Sequence, residues 1–171
     1  HSKLIKHLRD PKINNIFRVF NKNLKFINEK NTAVAVSGGP DSLALTFLFK
    51  CLNIKNKKKG YFYTVDHKLR KNSSNEAKTI KKLLKNYDID CKILIWRGKK
   101  PNSNLQSIAR NKRYSLIHNQ CIKDKVESLI TGHHIGDLYE NFFIRMLRGS
   151  GLDGFVSFNS IKNKLNDNLY V

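Results

Sequence analysis

Short apolar runs alternate with longer segments whose apolar residues recur at helical spacing. Four apolar runs predict buried strands, at residues 33–36, 61–65, 91–96 and 126–130. Five further segments predict helices, at residues 13–27, 43–52, 73–87, 105–117 and 137–148. Because strand and helix alternate, we predict an α/β fold: a Rossmann-like, doubly wound parallel sheet of about five strands with helices on both faces.

Polar signals mark the ends of some of these elements. Ser73 and Glu76 have the spacing of a capping box, so we expect Ser73 to cap the helix at 73–87 and Glu76 to reach back to it. The stretch after Gly154 is rich in Asn and Lys and has weak periodicity. We therefore expect one domain at residues 1–154, followed at 155–171 by a linker or the start of a truncated C-terminal region.

The charge of the chain is unusual for a globular domain. Its 171 residues include 33 Lys and Arg but 13 Asp and Glu, which gives a formal charge of +20. Such a charge attracts polyanions, with nucleic acid first and an anionic membrane second. Lys supplies 25 of the 33 basic residues and Asn is also frequent, so a bias toward AT-rich codons is an alternative source of part of the charge.

The apolar pattern and the cysteines predict a cytoplasmic protein. No run of about 18 apolar residues is present, and the N-terminus has no apolar segment of the kind that secretion signals carry. Cys51, Cys91 and Cys121 are scattered and never spaced as C-x-x-C. This usage predicts reduced thiols and argues against a zinc ribbon or an iron–sulfur cluster.

Residues 37–42 read Ser-Gly-Gly-Pro-Asp-Ser and connect the first predicted strand to the next helix. The glycines permit a tight turn, and Pro40 suits the first turn of a helix. The backbone amides, the helix dipole and the hydroxyls of Ser37 and Ser42 therefore predict an anion site. The segment lacks the Gly-Lys-Ser/Thr ending of a Walker loop, and a plain strand–turn–helix junction is the alternative.

Three further segments contain candidate binding residues. Asp66 and His67 directly follow the second strand, where open parallel sheets bind ligands, although a solvated strand end explains them equally well. Arg110 and Arg113 share a helix face, which suits a phosphate or a carboxylate, or else forms a solvated basic surface. Arg148 precedes a glycine-rich loop and is a candidate phosphate or substrate contact.

Histidines and carboxylates follow the fourth predicted strand. His133 and His134 come first, and Asp137 and Glu140 then share one face of the predicted helix. A zinc site and simple capping of the helix N-terminus are both alternatives to a role beside the phosphate loop.

Five ordered motifs resemble those of the tRNA(Ile)-lysidine synthetases, a branch of the PP-loop or N-type ATP pyrophosphatases. They lie at residues 37–42, at 65–70 with Glu76 and Ala77, and at 104–114, 132–140 and 147–152. The resemblance implies the PP-loop ATP pyrophosphatase fold and a ligase that adenylates the C2 oxygen of the wobble cytidine in the CAU anticodon of tRNA(Ile). Lysine then attacks C2 through its ε-amine and AMP leaves, which gives lysidine.

The resemblance also implies roles for individual residues, with ATP and Mg²⁺ as cofactors and free L-lysine and tRNA(Ile) as partners; we also consider a homodimer. ATP would be bound by residues 37–42 together with Asp66, His67, Gly132 and His133. Catalysis would fall to Asp41, Arg113, Asp137 and Glu140. Lysine or tRNA would contact Arg110, Arg113, Glu140 and Arg148, and Mg²⁺ would be held by Asp41 and Asp137.

The fourth motif departs from the usual family pattern H-H-x-D-D-Q-x-E-T. Gly136, Leu138 and Asn141 replace its first Asp, its Gln and its Thr, while Asp137 and Glu140 remain. These changes leave open a non-catalytic RNA-binding remnant. The other alternative is a different PP-loop enzyme, such as a tRNA thiolase or an ammonia-dependent amidating ligase.

Overall fold

A computed structural model describes residues 2–24, 31–98, 105–132, 164–166 and 169–170. The helices of the described residues are α1 (Ser2–His7), α2 (Pro11–Asn23), α3 (Pro40–Lys55), α4 (Ser73–Lys85) and α5 (Leu105–Lys123). The strands are β1 (Thr32–Ala35), β2 (Tyr61–Asp66), β3 (Cys91–Ile95), β4 (Ser128–Thr131), β5 (Lys164–Asn166) and β6 (Leu169–Tyr170).

The strands form one sheet in the order β3-β2-β1-β4-β6-β5. The first four are parallel, with Ala33 opposite both Tyr61 of β2 and Leu129 of β4. β6 adds in parallel beside β4, and β5 pairs with β6 in the antiparallel sense. The predicted α/β fold is confirmed, and six described strands compare with the expected number of about five.

Helices cover both faces of the sheet, as predicted. One face packs on α3 and α4, with α1 and α2 outside α3, and its buried core includes Phe17, Val34 and Leu84. The other face packs on α5, through Ala33, Ile117 and other buried residues. α3 is apolar nearly all round because it lies between the sheet and the two N-terminal helices.

The N-terminal helices differ from the prediction. A single helix was expected at 13–27, but α1 precedes it and α2 begins at Pro11. Asp10 starts α2, since its carboxylate accepts hydrogen bonds from the amides of Lys12 (2.8 Å) and Ile13 (3.1 Å). The predicted helix at 137–148 lies outside the described residues, and the division of the chain at residue 154 stays a prediction.

The predicted capping box at Ser73 is wrong. The N-cap of α4 is Asn72, which makes no side-chain cap bond, and Ser73 is the first helical residue. The Ser73 hydroxyl donates instead to the carboxylate of Asp66, at 2.8 Å. An unpaired carboxylate costs more free energy when buried than an unpaired amide costs at a helix end in water, so the Ser73 hydroxyl bonds to Asp66. No helix in the described part of the chain is long and apolar enough to cross a bilayer.

Candidate functional site

A cleft of about 510 Å³ opens at the carboxyl ends of β1, β2 and β4. The chain leaves β1 toward β2 on one side, while β4 lies on the other side of β1. Ligands bind at such a reversal of strand order in open α/β sheets. Eight of the predicted site residues line the cleft: Ser37, Gly39, Asp41, Ser42, His67, Arg110, Arg113 and Gly132.

The other predicted site residues fall into two groups. Gly38, Pro40 and Asp66 are described by the structure but are not part of the cleft lining. His133, Asp137, Glu140 and Arg148 lie outside the described residues. The structure therefore brings together residues from four of the predicted segments, which are widely separated along the chain.

The loop after β1 is organised by the hydroxyl of Ser42, a side chain that is 2% exposed. Its oxygen accepts hydrogen bonds from the amides of Ser37 (3.2 Å) and Gly38 (3.1 Å) and from the Ser37 hydroxyl (3.0 Å). It donates its own hydrogen to the carbonyl of Gly39, at 3.0 Å. Ser42 thus shapes the loop, whereas the sequence predicted an extra donor for the anion.

Two glycines are required by close approaches around this loop. Gly38 has φ +90°, a conformation that residues with a Cβ rarely adopt, and a Cβ there would also meet the end of the Ile80 side chain on α4. At Gly132 a Cβ would lie 2.8 Å from the Cα of Ser42 and 3.0 Å from its amide nitrogen. The end of β4 therefore packs directly on the backbone at the start of α3, and only glycine fits there.

The N-terminus of α3 lies at the cleft, which Gly39, Asp41 and Ser42 line. Gly39 is the N-cap and makes no side-chain cap bond, and Pro40 follows at the first helical position. The first turn of a helix has amides without intrahelical acceptors, and the helix dipole adds a partial positive charge. Asp41 stands exposed in this turn and lines the cleft. The turn therefore fits an anion, with one carboxylate beside it.

Asp66 organises the turn that joins β2 to α4. Its carboxylate is 3% exposed and accepts from the Ser73 hydroxyl (2.8 Å), the Ser74 hydroxyl (2.6 Å) and the Lys68 amide (2.9 Å). Burial raises the pKa of this carboxyl, but these hydrogen bonds and the Lys68 charge outweigh it, so the pKa lies below the ordinary 3.8. The described hydrogen bonds of the Asp66 carboxylate are thus with the turn that follows β2 and with the start of α4.

Two arginines and a histidine form the wall contributed by β2 and α5. Arg113 donates from Nε to Nε2 of His67, at 3.2 Å. Arg110, one turn earlier on α5, has its guanidinium carbon 5.4 Å from the ring centroid of Tyr114. Both arginines line the cleft, so α5 supplies formal positive charge opposite the α3 amides.

Glu76 also lines the cleft; the sequence analysis placed it in a capping box and in the second family motif but not among the site residues. The signal that finds it is spacing, because Ser73, Glu76, Ala77 and Ile80 all line the cleft and lie on one helical face. Within the described residues no group of three or more His, Cys, Asp or Glu side chains could hold a metal by itself.

Comparison with known proteins identifies the family of the chain. The sequence model of the PP-loop domain matches residues 10–170, nearly the whole chain. The chain belongs to the PP-loop domain family. We refer to residues 37–42, which resemble the S-G-G-x-D-S loop of this family, as the PP-loop, and to the cleft above them as the PP-loop cleft.

Similar PP-loop proteins include several bacterial enzymes. The chain is 44% identical over 134 residues to the tRNA(Ile)-lysidine synthase of Orientia tsutsugamushi, covering 78% of the chain and 30% of that protein. It is 39% identical over 127 residues to the tRNA(Ile)-lysidine synthase of Rickettsia typhi, covering 74% and 30%. The chain thus spans less than a third of the length of these relatives.

One solved structure shows the same PP-loop fold. The U34-tRNA thiolase NcsA from Methanococcus maripaludis, solved with its [4Fe-4S] cluster, superposes with a TM-score of 0.70 at 20% sequence identity. The match covers 86% of this chain and 54% of that one. At this identity the likeness establishes the shared fold alone.

Proposed function

We propose that this PP-loop domain performs the chemistry of a tRNA(Ile)-lysidine synthetase, the ATP-dependent ligation of lysine to the wobble cytidine of the CAU anticodon. The observation that carries the proposal is the 44% identity over 134 residues to a protein of that name. The cleft supports it, since described residues from four of the five motifs line it, with an anion site on one wall and arginines on the other.

The reaction has two steps. In the first, the C2 oxygen of the cytidine forms a bond to the α-phosphorus of ATP, and the bond from that phosphorus to the β-phosphate oxygen breaks. In the second, the ε-amine of lysine forms the C2–N bond, the C2–O bond breaks and AMP leaves. The amine must first lose a proton, and a base near it would accept that proton.

The PP-loop would bind the phosphates that leave as pyrophosphate. Its backbone donors and the α3 dipole favour an anion, and Gly38 and Gly132 keep the loop closely packed. Arg110 and Arg113 would contact the phosphates or the RNA backbone from the opposite wall. Asp66 and His67 would lie on the nucleotide side of the cleft, Asp66 acting through the loop that it holds.

The exposed Asp41 carboxylate fits a Mg²⁺ ion. It lies beside the α3 amides, and Mg²⁺ in phosphate sites is commonly held by one or two carboxylates together with phosphate oxygens. Asp137, outside the described residues, is the proposed second ligand. When bound, Mg²⁺ would offset the negative charge of the departing pyrophosphate.

The remaining proposed roles fall on residues outside the described part of the chain. His133 would contact ATP beside Gly132, Glu140 would bind or deprotonate lysine, and Arg148 would contact the substrate. The +20 charge is consistent with tRNA as the polyanionic partner. A homodimer and a cytoplasmic location stay predictions.

The cysteines argue against a thiolase. Cys51, Cys91 and Cys121 are all the cysteines of the chain, and each is free and buried. Burial raises the pKa of Cys91 and that of Cys121 to about 12, so neither is a thiolate at neutral pH. A sulfur carrier needs an accessible thiolate or a cluster of thiolates, and these residues provide neither.

Lysine incorporation tests the proposed function. The full-length protein that contains this chain should attach lysine to a CAU-anticodon isoleucine tRNA transcript with ATP and Mg²⁺, and should leave a methionine tRNA with the same anticodon unmodified. Absence of incorporation into the isoleucine tRNA would contradict the proposal. Asp41→Asn should abolish pyrophosphate release while tRNA binding persists; equal loss of both would make Asp41 structural.

A further inference from the structure

We propose that His67 is a positioning residue for Arg113. Its uncharged imidazole accepts a hydrogen bond from Arg113 and holds the guanidinium in place, so that the remaining donors serve an anion in the cleft. This role of His67 rests on the proposed function, because the anion that Arg113 would bind is a phosphate of ATP or of the RNA.

The contact joins two distant parts of the chain. His67 is the first residue after β2 and Arg113 lies in the third turn of α5, and both side chains line the cleft. The Arg113 Nε and the His67 Nε2 are 3.2 Å apart. Because each element is anchored in the sheet core, the contact fixes the arginine relative to the strand ends rather than to its own helix alone.

The direction of this bond determines the form of the imidazole. Arg113 can only donate, so Nε2 must carry its lone pair and the ring hydrogen must lie on Nδ1. Nδ1 is buried and has no hydrogen-bond partner among the described residues. A protonated ring would lose the acceptor at Nε2 and would place a second cation beside the guanidinium.

The surroundings favour the uncharged ring. Burial lowers the pKa of His67 and the Arg113 charge lowers it further, while the Asp66 carboxylate opposes both without prevailing. The pKa therefore lies below the ordinary 6.5, and the ring is neutral at pH 7. Two cationic groups would otherwise repel each other at this distance.

The hydrogen bond to His67 also determines which donors of the Arg113 guanidinium remain for a ligand. A guanidinium has five donors in a planar fork, and His67 occupies the one at Nε. The four that remain are on the two terminal nitrogens, an arrangement that matches two oxygens of a phosphate. Neutral His67 thus favours end-on binding by Arg113, and loss of the imidazole would free the side chain to rotate.

Nuclear magnetic resonance of the histidine ring tests the contact without any assay of activity. In the unaltered chain we expect the Nδ1–H tautomer and a pKa below 6.5 for His67. Arg113→Gln should raise that pKa toward 6.5, whereas the matched control Arg110→Gln should leave it unchanged. An Nε2–H tautomer of His67, or a His67 pKa that is the same in Arg113→Gln as in the unaltered chain, would overturn the inference.

Kinetics then test what the contact does. His67→Ala should lower kcat for ATP-dependent pyrophosphate release by about tenfold to a hundredfold, as a misplaced contact does. His67→Gln, whose carbonyl oxygen also accepts, should recover part of the loss and remove the decline of activity at acid pH that protonation of His67 causes.

The two proposals fail in different ways. If the tautomer and the pKa shift are found but the unaltered protein releases no pyrophosphate, the proposed function is wrong and the His67–Arg113 contact stands. His67 does not position Arg113 if the unaltered protein is active and His67→Ala has the same kcat. The same conclusion follows if the activity of His67→Gln still falls at acid pH.

Discussion

Replacement of Ser42 by alanine is a direct test of how the PP-loop keeps its shape. The Ser42 hydroxyl is buried and takes part in four hydrogen bonds of 3.0–3.2 Å. Ser42→Ala deletes all four and leaves the amides of Ser37 and Gly38 without their acceptor. Each hydrogen bond contributes about 0.5–1.5 kcal/mol net, and water can replace part of the loss because these amides are only partly buried.

We expect Ser42→Ala to lose about 2 kcal/mol of the free energy of unfolding, which for a chain of this size corresponds to about 4–8 °C in Tm. ATP affinity should fall as well, because the apparent affinity is reduced in proportion to the fraction of molecules whose loop is ordered; an ordered fraction of about a tenth gives a tenfold loss. Urea denaturation and calorimetric titration with ATP measure the two effects.

Ser37→Ala is the matched control. It also removes a hydroxyl from the loop, but Ser37 is exposed and its hydroxyl only donates to Ser42, so we expect a loss under about 1 kcal/mol. Equal stability of the two variants would refute the role of Ser42 as the organiser of the loop. Full stability with lost ATP affinity in Ser42→Ala would mean that the hydroxyl binds the anion directly, as the sequence predicted.

Further predictions concern the packing and the titration of buried groups. Gly132→Ala should cost about 1–3 kcal/mol in urea denaturation, because the added methyl meets the Ser42 backbone; unchanged stability would show that β4 can shift. Asp66→Asn should cost about 1–3 kcal/mol at pH 7. Since the folded pKa of Asp66 is below 3.8, this difference should vanish as the pH falls through that pKa, and a difference that persists under acid would contradict the assignment. Cys91 and Cys121 should resist iodoacetamide at pH 8 until urea unfolds the chain; rapid labelling would contradict their burial.

Much of the fold followed from periodicity because the central strands are buried on both sides. The apolar runs at 33–36 and 61–65 became β1 and β2 within a residue or so at each end. α1 went unpredicted, since a helix of six residues with one buried Leu leaves little periodic signal. Its position depends on packing against α3, which no local pattern records.

The sequence predicted which segments form the candidate site, but it did not predict which of their side chains face the ligand. Turn chemistry located the PP-loop, and helical spacing located the paired arginines. Sequence could not show that the hydroxyls of Ser42 and Ser73 serve internal acceptors and donors, because a buried carboxylate or an inward-turned amide becomes visible only in three dimensions. Polar residues near a site therefore divide into those that shape it and those that face the ligand.

That division gives the two walls of the cleft different electrostatic characters. On the α3 side the Ser37 and Ser42 hydroxyls bond within the loop, so that backbone amides and the helix dipole bind an anion there without a cationic side chain, beside the Asp41 carboxylate. On the α5 side Arg110 and Arg113 bring full charges, and His67 stays neutral beside them. Salt screens formal charges more than it screens short amide contacts. A phosphate held by the α3 wall should therefore tolerate salt better than one held by the α5 wall, so that the arginines, more than the PP-loop, set the salt dependence of binding in this cleft.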